Sequence, residues 1–314
     1  MIFKSTLPII EFPFKINHNE QILSIGSCFT EHIGNKLKNS FFDIIQNPFG
    51  IVYNPISIAK QLDIIIKNQL YKEEDLCHHN SKYFSWNHHS NYSDFNKGNA
   101  LNKINTRLES ARKGTSNLCH LHLTFATAWV YELKSTNEIV ANCHKIPSSN
   151  FVKKLLTVEE IIDSIVPVLK NYNTKFPQLK ILFTLSPVRH LRDGIIEDRL
   201  SKSILRVSID AIIKKFENAY YFPAYELVTD DLRDYRFSKE DLAHPNEMAI
   251  EYVWDYFKNA IFDIKTIEII NQLVKILKMK NHIGDIHDIE FQKFQIKIKD
   301  LENQFRMEHP HIKY

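Results

Sequence analysis

Ser27 and Cys28 stand together in Gly26-Ser27-Cys28-Phe29-Thr30, and far downstream an aspartate precedes a histidine by three positions in Asp241-Leu242-Ala243-His244. A thiol or hydroxyl is a weak nucleophile until a base takes its proton, and an imidazole oriented by a carboxylate is such a base. The pair of motifs therefore predicts covalent acyl chemistry. Cys28 or Ser27 attacks a carbonyl, His244 removes the proton and later returns it, and Asp241 orients the imidazole and stabilises its charged form. Each half alone has a plainer reading: Gly-Ser-Cys can be a tight turn over an inert buried cysteine, and Asp241 can cap a helix beside an ordinary loop histidine.

The elements around the motifs favour the chemical reading. The apolar run Ile22 to Ile25 reads as a strand, Phe29, Ile33 and Leu37 recur at helical spacing, and Phe41 to Ile45 reads as a second strand, which makes an opening βαβ unit. A strand that ends in glycine-x-nucleophile and enters a helix leaves the reactive side chain at the sheet's carboxyl edge. It also aims backbone N–H groups and the positive helix end at a substrate oxygen. The same field is expected to lower the pKa of a thiol. Downstream, Pro55 starts a helix through Ile58, Leu62 and Ile65, and Leu121 to Ala126 is a third strand. Trp129 to Tyr131 and Ile139 to Ala141 form a hairpin turning at Ser135 to Asn137. Thr157 with Glu160 is a capping box for a helix to about Lys170, and Lys180 to Leu185 reads as a central parallel strand buried on both faces. A helix through Leu205, Ile209, Ile212 and Phe216 leads to a strand from Tyr220 to Pro223. Pro245 suits the first turn of a helix whose apolar side is Met248, Ala249, Tyr252, Val253 and Phe257.

Residues 71–117 are polar and rich in histidine and asparagine, with Tyr83, Phe84, Trp86, Tyr92 and Phe95 interspersed. They read either as an insertion covering the rim of an active site or as a partly disordered surface loop. In the first case His89 and Trp86 line the pocket. The pairs His78-His79 and His88-His89, and His120-x-His122, match no metal-binding spacing and read as exposed lid histidines, so neither metal nor cofactor is expected. Arg189 and His190, in Ser186-Pro187-Val188-Arg189-His190, stand at a strand's carboxyl end, where ligands gather in open α/β sheets. Arg189 can clamp a substrate carboxylate or phosphate, or fix the loop from Tyr225 to Arg236 through Asp230, Asp231 or Asp234.

The chain of 314 residues has 44% hydrophobic and 25% charged residues and a formal net charge of +3, which describes a globular protein with no nucleic-acid partner. The amino-terminal run lacks the apolar core of a secretory signal, and no window approaches the ~18 apolar residues of a membrane span. Cysteines 28, 77, 119 and 143 form no CxxC pair, so a cytoplasmic location with free thiols is expected. The expected organisation is a main domain, 1–263, and a helical extension, 264–314. In the extension Phe291, Phe294, Ile298, Leu301 and Phe305 recur at helical spacing beyond Asn281-His282-Ile283-Gly284. Such a helical hairpin packs on the main domain or on a second copy of the chain, giving a homodimer.

SIGSCFTEHIG resembles the signature of the GSCFA family. NPFGIVYNPISI, TFATAWVYE, NCHKIP, TLSPVRH and DLAHPNEMA resemble its later blocks in the same order, over roughly residues 10 to 260. The resemblance implies a three-layer α/β/α sandwich with a parallel sheet, of the SGNH (GDSL-like) hydrolase superfamily, whose members cleave or transfer ester-linked acyl groups. The implied substrate is a small-molecule or saccharide acyl ester; the alternative is a non-catalytic binding module that keeps the fold. The superfamily's first block, Gly-Asp-Ser followed by Leu-Thr, puts its nucleophile on Cys28 when aligned on Gly26 and Thr30. A shift by one residue puts it on Ser27, and Cys28 is preferred. Gly50 matches the glycine whose N–H helps form the oxyanion hole. The third block departs from the pattern: Ala126-Thr127-Ala128-Trp129 lacks the usual asparagine, leaving Asn142 or Thr127 as substitute donors. Asp241 and His244 match the last block in full.

Overall fold

A computed structural model describes residues 5–282, 284, 287–312 and 314. In chain order its regular elements begin with β1 (Gln21–Gly26), α1 (Cys28–Asn39), β2 (Ile44–Gln46), α2 (Pro55–Ile66), β3 (Cys77–His79), β4 (Lys82–Phe84) and α3 (Lys97–Lys113). There follow β5 (Leu118–Phe125), β6 (Trp129–Leu133), β7 (Ile139–Val140), β8 (Phe151–Leu155), α4 (Val158–Lys175), β9 (Lys180–Leu185) and α5 (Ile195–Ile213). The chain continues through β10 (Ala219–Phe222), the single turn α6 (Ala224–Glu226), α7 (Glu247–Ile261), α8 (Ile264–Lys280) and α9 (Ile289–Glu308).

Five strands form one parallel sheet in the order β10-β9-β5-β1-β2. Side chains alternate across it, as strand geometry demands. Leu23 and Ile25 of β1, Leu121, Leu123 and Phe125 of β5, and Ile181 and Phe183 of β9 pack with α2, α3, α4 and α5 in one core. Ile22 and Leu182 point the other way and pack with α1, α7 and the start of α8. The molecule is therefore a three-layer α/β/α sandwich with a parallel sheet. The chain leaves β1 toward β2 on one side and β5 lies on the other, so the crevice at their carboxyl ends is the place where such sheets bind ligands.

Several expectations change in detail. The second strand is Ile44–Gln46 rather than Phe41 to Ile45, because Phe41 (φ 61°) closes the turn after α1. Segment 71–117 is neither irregular nor a disordered surface loop: it holds the β3–β4 hairpin and α3, whose Ala100, Ile104, Leu108 and Ala111 are buried. Only its remaining stretches could act as a rim. The capping box of Thr157 and Glu160 forms, and α4 runs on to Lys175. Pro245 lies outside the helix it was expected to start, since Asn246 caps α7 by accepting from the Ala249 N–H. The hairpin of β6 and β7 gains a third strand, β8.

In the carboxyl-terminal hairpin, Ile267 and Ile270 of α8 join the core formed by α1 and α7. Ile276 and Leu273 pack with Phe305 of α9. Ile283, in the expected linker, lies outside the described residues. Among the described residues no helix is long and apolar enough to cross a membrane.

Candidate active site

The turn between β1 and α1 is fixed on all sides. A Cβ on Gly26 would come within 2.5 Å of the Thr124 carbonyl oxygen and 2.6 Å of Thr30 Oγ1, so only glycine lets β1 pass this close to β5. The Gly26 N–H donates to Asn47 Oδ1 (2.9 Å), and its carbonyl accepts from the Val52 N–H (3.1 Å). Ser27 is the N-cap of α1: its Oγ accepts from the Phe29 N–H and donates to Ser186 Oγ (3.1 Å), and the residue is 1% exposed. Cys28 opens α1 half-buried and lines a pocket of about 400 Å³ together with Tyr53, Asn54, Arg189, His190 and His244.

Burial pushes the Cys28 thiol above its ordinary value. The Phe29 and Cys28 N–H groups and the charge of Lys202 pull it down, and Glu31 adds to the rise. The lowering expected from the helix end is thus outweighed by desolvation, and Cys28 rests as a neutral thiol that needs a base.

Asp241 and His244 form a compact turn. Asp241 Oδ1 accepts from the N–H groups of Ala243 and His244 (3.0 Å each), and Oδ2 meets His244 Nδ1 at 2.6 Å. The His244 N–H, the Ala243 N–H and the imidazole hold the Asp241 carboxyl down at about 2. With Nδ1 engaged, Nε2 is the nitrogen left for proton transfer. Leu242 adopts φ 56°, an uncommon conformation for a residue with a side chain. Backbone bonds from Arg189 to the Ala243 carbonyl (3.0 Å) and from Lys239 to the His244 carbonyl (2.7 Å) tie the turn down.

The expected oxyanion donors fare differently. Gly50 (φ +82°) gives its N–H to the Asn47 carbonyl (2.8 Å) and is not in the pocket wall; its role is to hold the loop that grips Gly26. Thr127 lines the pocket, but its hydroxyl is paired with Ser201 Oγ (3.2 Å) and accepts from the Trp129 N–H (3.0 Å). Asn142 lines the pocket with Oδ1 bound to the His144 N–H (2.8 Å) and Nδ2 unpartnered among the described residues. Asn54, which sequence reasoning missed, lines it too. As N-cap of α2 its Oδ1 accepts from the Ser57 N–H (2.8 Å), and its Nδ2 has no partner among the described residues. The available signal was the Asn-Pro step: a capping asparagine commits its oxygen to the helix and leaves its NH₂ free.

A second missed feature is the polar row Asp198, Ser201 and Lys202 on the buried face of α5. Lys202 Nζ donates to the carbonyls of Ala126 (2.6 Å) and Ser186 (2.9 Å), beyond the ends of β5 and β9. Ser201 Oγ accepts from the Ala128 N–H (2.7 Å), and Asp198 Oδ1 from the His190 N–H (2.9 Å). Burial pushes the Lys202 ammonium down to about 8, against the pull of Asp198 and Cys28. Polar residues at helical spacing beside Leu205, Ile209 and Ile212 were the readable sign.

Arg189 and His190 are both in the pocket wall. Burial lowers His190 to about 4, so its ring is neutral at pH 7. Arg189 does not fix the 225–236 loop through an aspartate; its guanidinium lies over the Tyr235 ring, 5.7 Å from the centroid. His89 and Trp86 are not in the wall. His89 packs against Gly50, and Trp86 sits against Phe84, His144 and Phe151 beside a separate cavity. The other histidines are not all exposed lid residues, because His88, His120 and His122 are buried. Among the described residues no cluster of three or more His, Cys, Asp or Glu is placed to hold a metal ion.

A family model described as GSCFA family matches residues 21–257. No curated protein matches the chain at a significant level. Among solved structures, a protein described as "putative platelet activating factor from Streptococcus pneumonia" is 10% identical, with 76% of this chain and 83% of that chain covered and a TM-score of 0.37. A carbohydrate esterase family 3 protein from Talaromyces cellulolyticus is 8% identical, with 80% and 98% covered and a TM-score of 0.37.

Proposed function

For a chain that belongs to the GSCFA family, we propose an acyl-ester hydrolase or acyltransferase that works through a thioester on Cys28. One observation carries the reading: Cys28 and His244 line the same pocket, and His244 Nδ1 is held by Asp241 at 2.6 Å. Cys28 Sγ attacks the acyl carbonyl as its proton passes to His244 Nε2. The carbonyl oxygen becomes an oxyanion, for which the Cys28 N–H at the start of α1 and the free Nδ2 of Asn54 are the donors. Collapse of the tetrahedral species breaks the ester bond, and the leaving alkoxide takes the proton from His244. Water or an acceptor hydroxyl then loses its proton to His244 and attacks the thioester, returning the thiol. The substrate is a small-molecule or saccharide acyl ester. Ser27 acts as a structural cap.

The test is early quenching of a reaction with p-nitrophenyl acetate followed by peptide mapping. An acetyl group on Cys28, with turnover lost in His244→Ala, is the expected result. An acetyl group on Ser27 transfers the nucleophile's role to that residue. A folded protein acetylated at neither position favours the non-catalytic binding module.

A further inference from the structure

The wall of the Cys28 pocket carries two arginines that have no ion-pair partner among the described residues. Four charged or ionisable side chains other than Cys28, Cys143, His190 and the tyrosines line it: Arg189, Arg192, Asp193 and His244. Asp193 is paired with Lys153, whose Nζ also lies 4.4 Å from the centroid of the Trp129 ring in the same wall. His244 is paired with Asp241. That leaves the two arginines, and among the described residues no carboxylate lies within ion-pair distance of either guanidinium. The Arg189 guanidinium lies 5.7 Å from the centroid of Tyr235, which lines a neighbouring cavity that Arg189 also borders, and among the described residues its N–H donors have no hydrogen-bond partner. The planar fork of an arginine suits the two oxygens of a carboxylate or phosphate, and a concave, partly desolvated wall focuses the field of such charges.

We propose that the substrate carries an anionic group, a carboxylate or a phosphate, that sits against Arg189 and Arg192 while its acyl carbon lies at Cys28. The inference rests on the reading of this pocket as the acyl-ester site, and its test does not require ester turnover. Iodoacetate and iodoacetamide alkylate a thiol by the same displacement of iodide but differ in charge. At pH 9 and low salt, the iodoacetate-to-iodoacetamide rate ratio at Cys28, read by peptide mapping, is expected to exceed that of glutathione by about tenfold. It should fall toward the glutathione ratio in Arg189→Gln/Arg192→Gln and on adding salt. Arg192→Gln alone, at an exposed position, keeps the test open if the double variant fails to fold. A Cys28 ratio at or below that of glutathione overturns the proposal.

Calorimetric titration with inorganic phosphate and with succinate reads the site without thiol chemistry. Saturable binding that is lost in the arginine variants is expected, and the ligand that binds identifies the source of the anion. Binding of neither overturns the proposal. A biased alkylation ratio in a protein that forms no acetyl adduct would retain the anion site and remove the acyl-transfer reading, so the two failures are distinguishable.

Discussion

The Ser27 hydroxyl donates to the Ser186 hydroxyl at 3.1 Å, inside the protein, while the next residue, Cys28, opens onto the pocket. The two adjacent candidates for nucleophile therefore meet different surroundings. Ser27→Ala should lower stability by about 1 kcal/mol through loss of the cap and of this bond, and should leave acetylation at position 28 intact. Cys28→Ala should abolish the adduct with little change in stability. Urea midpoints and peptide mapping on the two variants read both effects.

The raised pKa of Cys28 gives a direct expectation for its alkylation. The iodoacetamide rate should still be rising with pH beyond the ordinary thiol value, with no plateau near pH 9. Burial lowers Lys202 to about 8, so its charge is largely gone in the range where the Cys28 thiol ionises, and Lys202→Met should leave the alkaline part of the profile little changed. A profile that levels off below pH 8 would contradict the first statement, and a large alkaline shift in Lys202→Met the second.

Lys202→Met should also leave the carbonyls of Ala126 and Ser186 without their buried donor. The unmet carbonyls predict a stability loss of roughly 1–3 kcal/mol, partly offset because the variant no longer buries an ammonium group. Chemical denaturation measures the net effect.

Asp241→Asn should lower acyl turnover on the order of 10²–10⁴-fold, because an amide NH₂ facing Nδ1 disfavours the tautomer with its free lone pair on Nε2. Asp241 itself is depressed to about 2. Its contribution to stability is fully present above the ordinary carboxylate range and is lost only as pH falls through about 2. Loss of activity between pH 6 and 4 is therefore not caused by protonation of Asp241. The Asp241→Asn variant should show a lower plateau in kcat, measured at several pH values.

Two buried histidines set a steeper acid response. Burial lowers His88 and His122 to about 3, with small further pushes from His144 and His120 respectively. Each is neutral in the folded chain and charged in the unfolded chain once pH falls below its ordinary value. Stability is therefore present above that value and lost as pH drops toward 3. Two such groups give a slope of about 2.7 kcal/mol per pH unit between pH 6 and 4. His122→Leu should halve this contribution, as read from urea midpoints at pH 7, 6 and 5.

The sheet was legible in the sequence because buried parallel strands read as apolar runs bounded by turns, as in Ile22 to Ile25 and Lys180 to Leu185. Helix α3 was not, because most of its surface is polar and its four buried residues are spread along its length. At the site, Cys28, Asp241 and His244 carry recognisable local spacing. Asn54 and Lys202 carry only a partial sign, the Asn-Pro step and the polar positions on the apolar side of α5, and Arg192 carries none, since placement at the pocket depends on chain crossings made far away in sequence. The pKa of Cys28 was read with the wrong sign because the helix field is visible in sequence and the degree of burial is not.

The two turns of the site differ in how deeply they are rooted. Ser27 is almost wholly buried and Gly26 is wedged against β5, whereas the His244 and Asp241 side chains are 37% and 50% exposed on a turn held by the Asp241 carboxylate and by backbone bonds from Arg189 and Lys239. Substitutions of Gly26 or Ser27 threaten folding as well as chemistry; His244, whose side chain is bonded only to Asp241 among the described residues, can be replaced at the cost of chemistry alone. Descent with modification can thus discard the base while the architecture survives unharmed. A descendant without His244 would keep the sheet, the first turn and the pocket.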